Sequence, residues 1–215
     1  MIRVLLLALA LVPRPVTACE VALMLAMDVS GSVDPAEYRL QVDGLALALA
    51  DPSVRDVLVQ GQVALSVMQW SGVGSQAVVL PWQRMLSADQ VDRFAAATRA
   101  MTRAFAVSDT AVGAALDFAL AGFAPVSDCR RRVIDMSGDG NENVGFTIGR
   151  ARSAAQASGT EVNGLAIEGM GLSITNFYRN QVITKGGFVE TARGHLDYAR
   201  AIRAKMLREL TKPSG

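Results

Sequence analysis

The sequence predicts an α/β fold built on a largely parallel sheet. Three observations carry this. Short β-rich runs alternate with longer amphipathic segments along the whole chain. Residues 21–27 form a continuous apolar run, as expected of a central strand covered on both faces. The 215 residues, 51% hydrophobic and 19% charged, suit a packed core and contain no repeat, low-complexity tract or linker, so one domain over residues 19–215 is expected.

The elements follow in order. After the strand at 21–27, residues 34–50 read as a helix: Asp34 suits the N-cap, Pro35 the first turn, and Glu37 completes a capping box. Residues 63–70 and 76–82 read as strands joined by a hairpin-like turn, and 88–103 and 110–123 as helices. A second buried strand at 132–136 ends at Ser137-Gly138-Asp139-Gly140. A helix at 146–157, a strand at 162–167, a short helix at 175–183, a strand at 188–191 and a last helix at 196–210 complete the chain.

Residues 1–18 read as a signal peptide. Arg3 supplies a positive start, residues 4–12 an apolar run, and Val16-Thr17-Ala18 a small-residue cleavage site. That run is too short to span a bilayer, which needs about 20 residues, and no later stretch is long and charge-free enough. Export to the periplasm or the medium is therefore expected. In an oxidising compartment, Cys19 and Cys129 are expected to pair. The rival reading acylates Cys19 as a lipoprotein, but Pro13-Arg14-Pro15 breaks the apolar run and no spacer precedes the first strand.

Composition also excludes functions. A formal charge of +1 without a basic cluster argues against nucleic acid as a partner. One histidine and two cysteines cannot build a four-ligand Cys/His zinc cluster. No nucleophile elbow, dinucleotide fingerprint or P-loop is complete, so the chain does not read as an enzyme.

The chemistry concentrates at three places. Asp28-Val29-Ser30-Gly31-Ser32 leaves the end of the first buried strand, where ligands bind in parallel α/β sheets. Its carboxylate and two hydroxyls are hard oxygen donors that suit Mg²⁺, Mn²⁺ or Ca²⁺; taken alone, the serines could simply satisfy turn backbone. Thr110 opens a helix in Thr110-Ala111-Val112-Gly113-Ala114-Ala115-Leu116, and Asp139 follows the second buried strand. Singly, Thr110 or Asp109 reads as an N-cap and Asp139 as a turn residue.

Together and in this order, D-x-S-x-S, T-x-x-G-A-A-L and S-G-D-G resemble the von Willebrand factor A superfamily with its metal-ion-dependent adhesion site, over about residues 20–210. The likeness is greatest to exported bacterial A-like proteins without assigned function. The resemblance implies a doubly wound, Rossmann-like six-stranded sheet with one antiparallel edge strand and the first and fourth strands adjacent. It implies that Ser30, Ser32 and Thr110 offer hydroxyls to one Mg²⁺ or Mn²⁺ (Ca²⁺ fits less well), with Asp28 and Asp139 binding directly or through water. The family's usual T-D-G is here S-G-D-G. With those strands adjacent, Cys19, nine residues before Asp28, and Cys129, ten before Asp139, come close enough to bridge. The implied function is adhesion to a protein that donates an exposed Asp or Glu. A metal-dependent hydrolase or phosphotransferase, or a structural domain with an empty site, are the alternatives. Trp70, Asp109, Asn141, Glu142, Asn143 and Glu168 are expected around the rim, with a packed Trp70 the competing reading. His195 is expected at the surface or in a cap, and Arg200, Arg203, Lys205 and Arg208 on a solvated helix face. Asp135, inside a strand, needs a partner such as Arg131, Arg132 or backbone. Oligomeric state is not legible.

Overall fold

A computed structural model describes residues 19–106 and 109–212; the expected signal peptide lies outside them. Six strands form one sheet in the order β3-β2-β1-β4-β5-β6: β1 Val21–Asp28, β2 Ala64–Trp70, β3 Gln76–Arg84, β4 Arg131–Gly138, β5 Glu161–Ile167 and β6 Val189–Ala192. All pairings are parallel except β2 with β3, which makes β3 the antiparallel edge. Pro81 lacks a backbone donor, and it falls where the β2–β3 register shifts on this edge strand.

β1 is buried along its full length because helices cover both sheet faces. Leu23, Leu25 and Met27 face α1 Pro35–Ala50, α2 Pro52–Gln60, α3 Ala88–Arg99 and α7 Tyr198–Thr211. Ala22, Met24 and Ala26 face α4 Val112–Ala121 and α5 Ile148–Ala157, whose inward residues include Ala115, Ala119, Ala151 and Ala155. The short α6 Ser173–Phe177 runs into a π-helical turn, Tyr178–Val182, on that side.

Several elements differ from the sequence reading. α2 was not anticipated, although Asp51 caps it through Ser53 and Val54 and Pro52 opens it. α3 stops at Arg99 instead of 103, because the Gln69 side chain binds the Thr102 carbonyl and the Ala104 N–H and draws that segment towards β2. β4 extends through Ser137 and Gly138. α4 starts two residues after Thr110, and α5 two after Phe146, whose φ is +50°.

Cys19 and Cys129 form a disulfide with Cα atoms 4.5 Å apart, bridging the entrances to β1 and β4. Backbone bonds from Arg130 N–H to Cys19 and Arg131 N–H to Glu20 continue that pairing. Lys205 is not on a solvated face. It is fully buried, with Nζ 2.8 Å from Asp135 and 2.5 Å from Glu209, and is thus the partner that Asp135 requires in place of Arg131 or Arg132. Burial is the main force that raises both carboxyls, Glu209 to about 7, against the opposing pull of Lys205. The neighbouring arginines do lie outside: Arg200 pairs with Asp197 and Glu190, Arg203 with Asp51, and Arg208 stacks on Phe188. Among the described residues no helix is long and apolar enough to cross a membrane.

Candidate metal centre

Five oxygen-bearing side chains meet where β1 and β4 end. Asp28 is the last residue of β1, and its Oδ1 accepts the Ser30 N–H at 2.7 Å, an Asx turn that folds the loop back over the strand end. Ser30 Oγ lies 3.1 Å from Ser32 Oγ and accepts from Thr110 Oγ1 at 3.3 Å. Ser32 Oγ donates to Asp139 Oδ1 at 2.5 Å. Three segments far apart in sequence thus converge on one point. The Arg103 guanidinium braces the loop from beneath by donating to the carbonyls of Val29 and Ser30 at 2.8 Å each.

Asp28 is fully buried, and its Oδ2 has no hydrogen-bond partner. Burial pushes its carboxyl up to about 7; the nearby charge of Asp139 adds to the rise, and the Ser30 hydrogen bonds oppose it. Behind it stands Tyr178, whose hydroxyl is buried, unpartnered and held well above the usual phenol range by burial and by the Asp28, Asp139 and Asp135 charges. Gly138 separates the two: a Cβ there would sit 2.5 Å from Tyr178 Oη and 2.8 Å from Asp28 Oδ2. The glycine of S-G-D-G is therefore a packing requirement. So is Gly113 of T-x-x-G, whose Cβ would fall 2.4 Å from the Ile148 nitrogen at the start of α5.

The expected rim residues divide. Trp70 is fully buried in the core under α4, so it cannot anchor a partner. Glu168 is also buried; its carboxylate accepts the backbone N–H groups of Thr175 at 2.6 Å and Ile174 at 3.4 Å, which caps α6. Asn143 accepts the Thr110 N–H at 2.8 Å and returns its own N–H to the Thr110 carbonyl, while Glu142 accepts the Gly113 N–H at 2.8 Å. These two hold the threonine segment in place. Asp109, exposed, packs against Gly72 and accepts from Ser71 through its carbonyl; Asn141 is exposed.

His195 differs most from expectation. The turn after β6 carries it inward, so its side chain is only 8% exposed; Nδ1 lies 3.1 Å from Glu37 Oε1, and Nε2 lies 3.9 Å from Asp139 Oδ2. Glu37 is fixed in turn by the capping box, accepting the Asp34 N–H at 2.8 Å. The Gly194-His195 pair before a helix looks like a cap in sequence, and no local pattern signals that the imidazole reaches back to α1.

A family model described as "Protein of unknown function (DUF1194)" matches residues 18–214. The chain belongs to that family. Its fold is that of a von Willebrand factor A domain. Proximal thread matrix protein 1 from the mussel byssus, in a structure described as having a zinc-occupied MIDAS motif, is 16% identical with a TM-score of 0.67 over 89% of this chain and 48% of that one. A von Willebrand factor type A protein from Catenulispora acidiphila is 17% identical, TM-score 0.62, over 90% and 43%. The vWF domain of the type V pili tip protein Mfa5 from Porphyromonas gingivalis is 9% identical, TM-score 0.60, over 92% and 98%. The present chain thus spans about half of the mussel and Catenulispora chains but nearly all of the Mfa5 domain. No curated protein matches this DUF1194 member in sequence.

Proposed function

We propose that this protein is an exported, metal-dependent adhesion module, not an enzyme, acting as one domain over residues 19–215. The single observation that carries this reading is Asp28 Oδ2: a fully buried carboxylate oxygen without a donor, beside a cluster whose other groups are all hydroxyl or carboxylate oxygens. An unpaired buried carboxylate is costly, and a cation is the natural partner for this donor set. The oxygen-only donors favour Mg²⁺ or Mn²⁺, with Ca²⁺ a poorer fit. Ser30, Ser32 and Thr110 would hold the ion together with Asp28 and Asp139, directly or through water. A bound divalent ion offers an electrophilic position to an incoming carboxylate oxygen, because the hydroxyl ligands do not neutralise it.

The partner is a protein presenting an exposed Asp or Glu. Asp109 and Asn141 remain available beside the cluster, and the loops following the parallel strands carry exposed Val73, Phe146, Met170 and Leu196. These apolar side chains, in place of Trp70 and Glu168, would supply contact area around the carboxylate. The buried Cys19–Cys129 bridge supports an oxidising compartment, and with it periplasmic or secreted placement without a lipid on Cys19.

Calorimetric titration with Mg²⁺, Mn²⁺ and Ca²⁺, with and without acetate, tests the reading. One-to-one binding that Asp28→Ala and Thr110→Ala both weaken is expected. Absence of binding to the parent protein in every series would sink it.

A further inference from the structure

Asp139 has two carboxylate oxygens with different surroundings. Oδ1 accepts from Ser32 Oγ within the oxygen cluster, whereas Oδ2 faces His195 Nε2. The imidazole is 8% exposed, and its Nε2 is buried without a hydrogen-bond partner. Its other nitrogen lies 3.1 Å from Glu37 Oε1. An ionised carboxylate only accepts, so Nδ1 carries a proton in that contact, and Nε2 is the nitrogen turned towards Asp139 and open to a cation. The 3.9 Å from Nε2 to Asp139 Oδ2 is too long for a hydrogen bond. It is near the span of two ligands on one ion: two bonds of about 2.1 Å at a tetrahedral angle place their ends about 3.4 Å apart. A carboxylate that fixes the tautomer and orientation of a metal-binding imidazole is the usual outer arrangement of such sites.

We infer that His195 Nε2 and Asp139 Oδ2 form a second cation position beside the oxygen cluster, selective for an imidazole-binding transition ion such as Zn²⁺, with Glu37 as the orienting residue. Imidazole nitrogen suits Zn²⁺ and is a poor ligand for Mg²⁺, so Mg²⁺ reports on the oxygen cluster alone and the Nε2 resonance on the second position. Glu37 serves from outside because its Oε2 is committed to the Asp34 N–H of the capping box. The remaining positions on the ion are left to water or to a partner's side chain. The inference rests on the adhesion-site reading only in that Asp139 is shared between the two positions.

His195 is the only histidine in the chain, so tag-free protein gives one imidazole signal in long-range ¹H–¹⁵N spectra. Zn²⁺ should shift the Nε2 resonance and leave Nδ1 protonated, while Mg²⁺ should leave both unchanged. By calorimetry, His195→Gln should lower Zn²⁺ affinity at least about tenfold, and Glu37→Gln by about tenfold, with Mg²⁺ affinity held within about twofold. Asp28→Asn should abolish Mg²⁺ binding and leave the Zn²⁺-induced shift in place. Thermal midpoints of each variant check folding, and the spectrum of the parent protein needs no variant. A Zn²⁺ titration that leaves Nε2 unmoved, or His195→Gln in the Asp28→Asn background binding Zn²⁺ as tightly as Asp28→Asn alone, overturns the second position. Mg²⁺ binding without Zn²⁺ binding overturns it and leaves the adhesion site standing; Zn²⁺ binding through Nε2 without Mg²⁺ binding does the reverse.

Discussion

Acid should loosen the cation through Asp28. The carboxyl is fully buried, has one donated N–H on Oδ1 and none on Oδ2, and is pushed up to about 7. A divalent ion needs it ionised, so below that value each pH unit lowers apparent affinity about tenfold. Between pH 8 and pH 5 the loss should approach about 100-fold, and binding at pH 6 should release about one proton. The metal-free protein should show the complementary effect. A carboxyl raised on folding binds its proton more tightly in the folded than in the unfolded state, so stability is greatest at low pH. It is then lost as pH rises from about 4 to about 7, by up to about 4 kcal/mol. In a chain of this size that corresponds to a midpoint shift on the order of 10 °C. Glu209 is raised to about 7 and acts in the same direction, so the informative comparison is with Asp28→Asn, which should flatten the profile only in part. Calorimetry at pH 5, 6, 7 and 8 in two buffers of different ionisation enthalpy, with thermal unfolding alongside, measures both effects. Affinity constant within about threefold over that range, or a pH–stability profile unchanged in Asp28→Asn, would refute the assignment of the proton to Asp28.

Further outcomes follow from the packing. The disulfide closes a loop of 110 residues, so Cys129→Ser should cost about 3–5 kcal/mol in denaturant unfolding; a loss below about 1 kcal/mol would mean the unfolded chain gains nothing from its removal. Lys205→Met should cost about 3–5 kcal/mol near pH 8, because it leaves Asp135 and Glu209 buried without a cation. Adding Glu209→Gln to that variant should recover part of the loss, and no recovery would place the cost in packing alone. Gly113→Ala should destabilise by about 1–3 kcal/mol by driving α5 off α4, and should weaken Mg²⁺ binding through displaced Thr110. Unchanged stability and Mg²⁺ affinity would count against that close contact.

Most of the sheet was legible because its signals are local. A strand covered on both faces must be apolar throughout, as β1 is, and a helix start leaves capping residues such as Asp34 and Glu37. The same holds for α2, where Asp51 and Pro52 supply a cap and Val54 and Leu58 an apolar face. Lys205 is buried, contrary to the solvated face expected of it, and the helix carries a local signal of this. Tyr198, Ala201, Ile202, Lys205, Met206 and Glu209 are the buried positions of α7 and recur at helical spacing, so periodicity alone puts Lys205 on the core stripe. The over-long α3 had no such remedy, because the Gln69 side chain that draws residues 102–104 away belongs to a different element.

By itself the sequence determined the class of fold, the order of its elements and the three oxygen-bearing motifs, since each is set by contacts within a few residues. Only the tertiary structure decided which of their neighbours meet. It carried Arg103 under the Asp28 loop, turned Trp70 and Glu168 into the interior, and brought Glu37, Asp139 and His195 to one place. Those pairings span 74 residues for Arg103 and Val29, 56 for Asp139 and His195 and 158 for Glu37 and His195, and they depend on which strand ends lie side by side in the sheet. Charge and hydrogen-bonding partners across such separations are set by the relative placement of whole elements, which no local pattern of residues encodes.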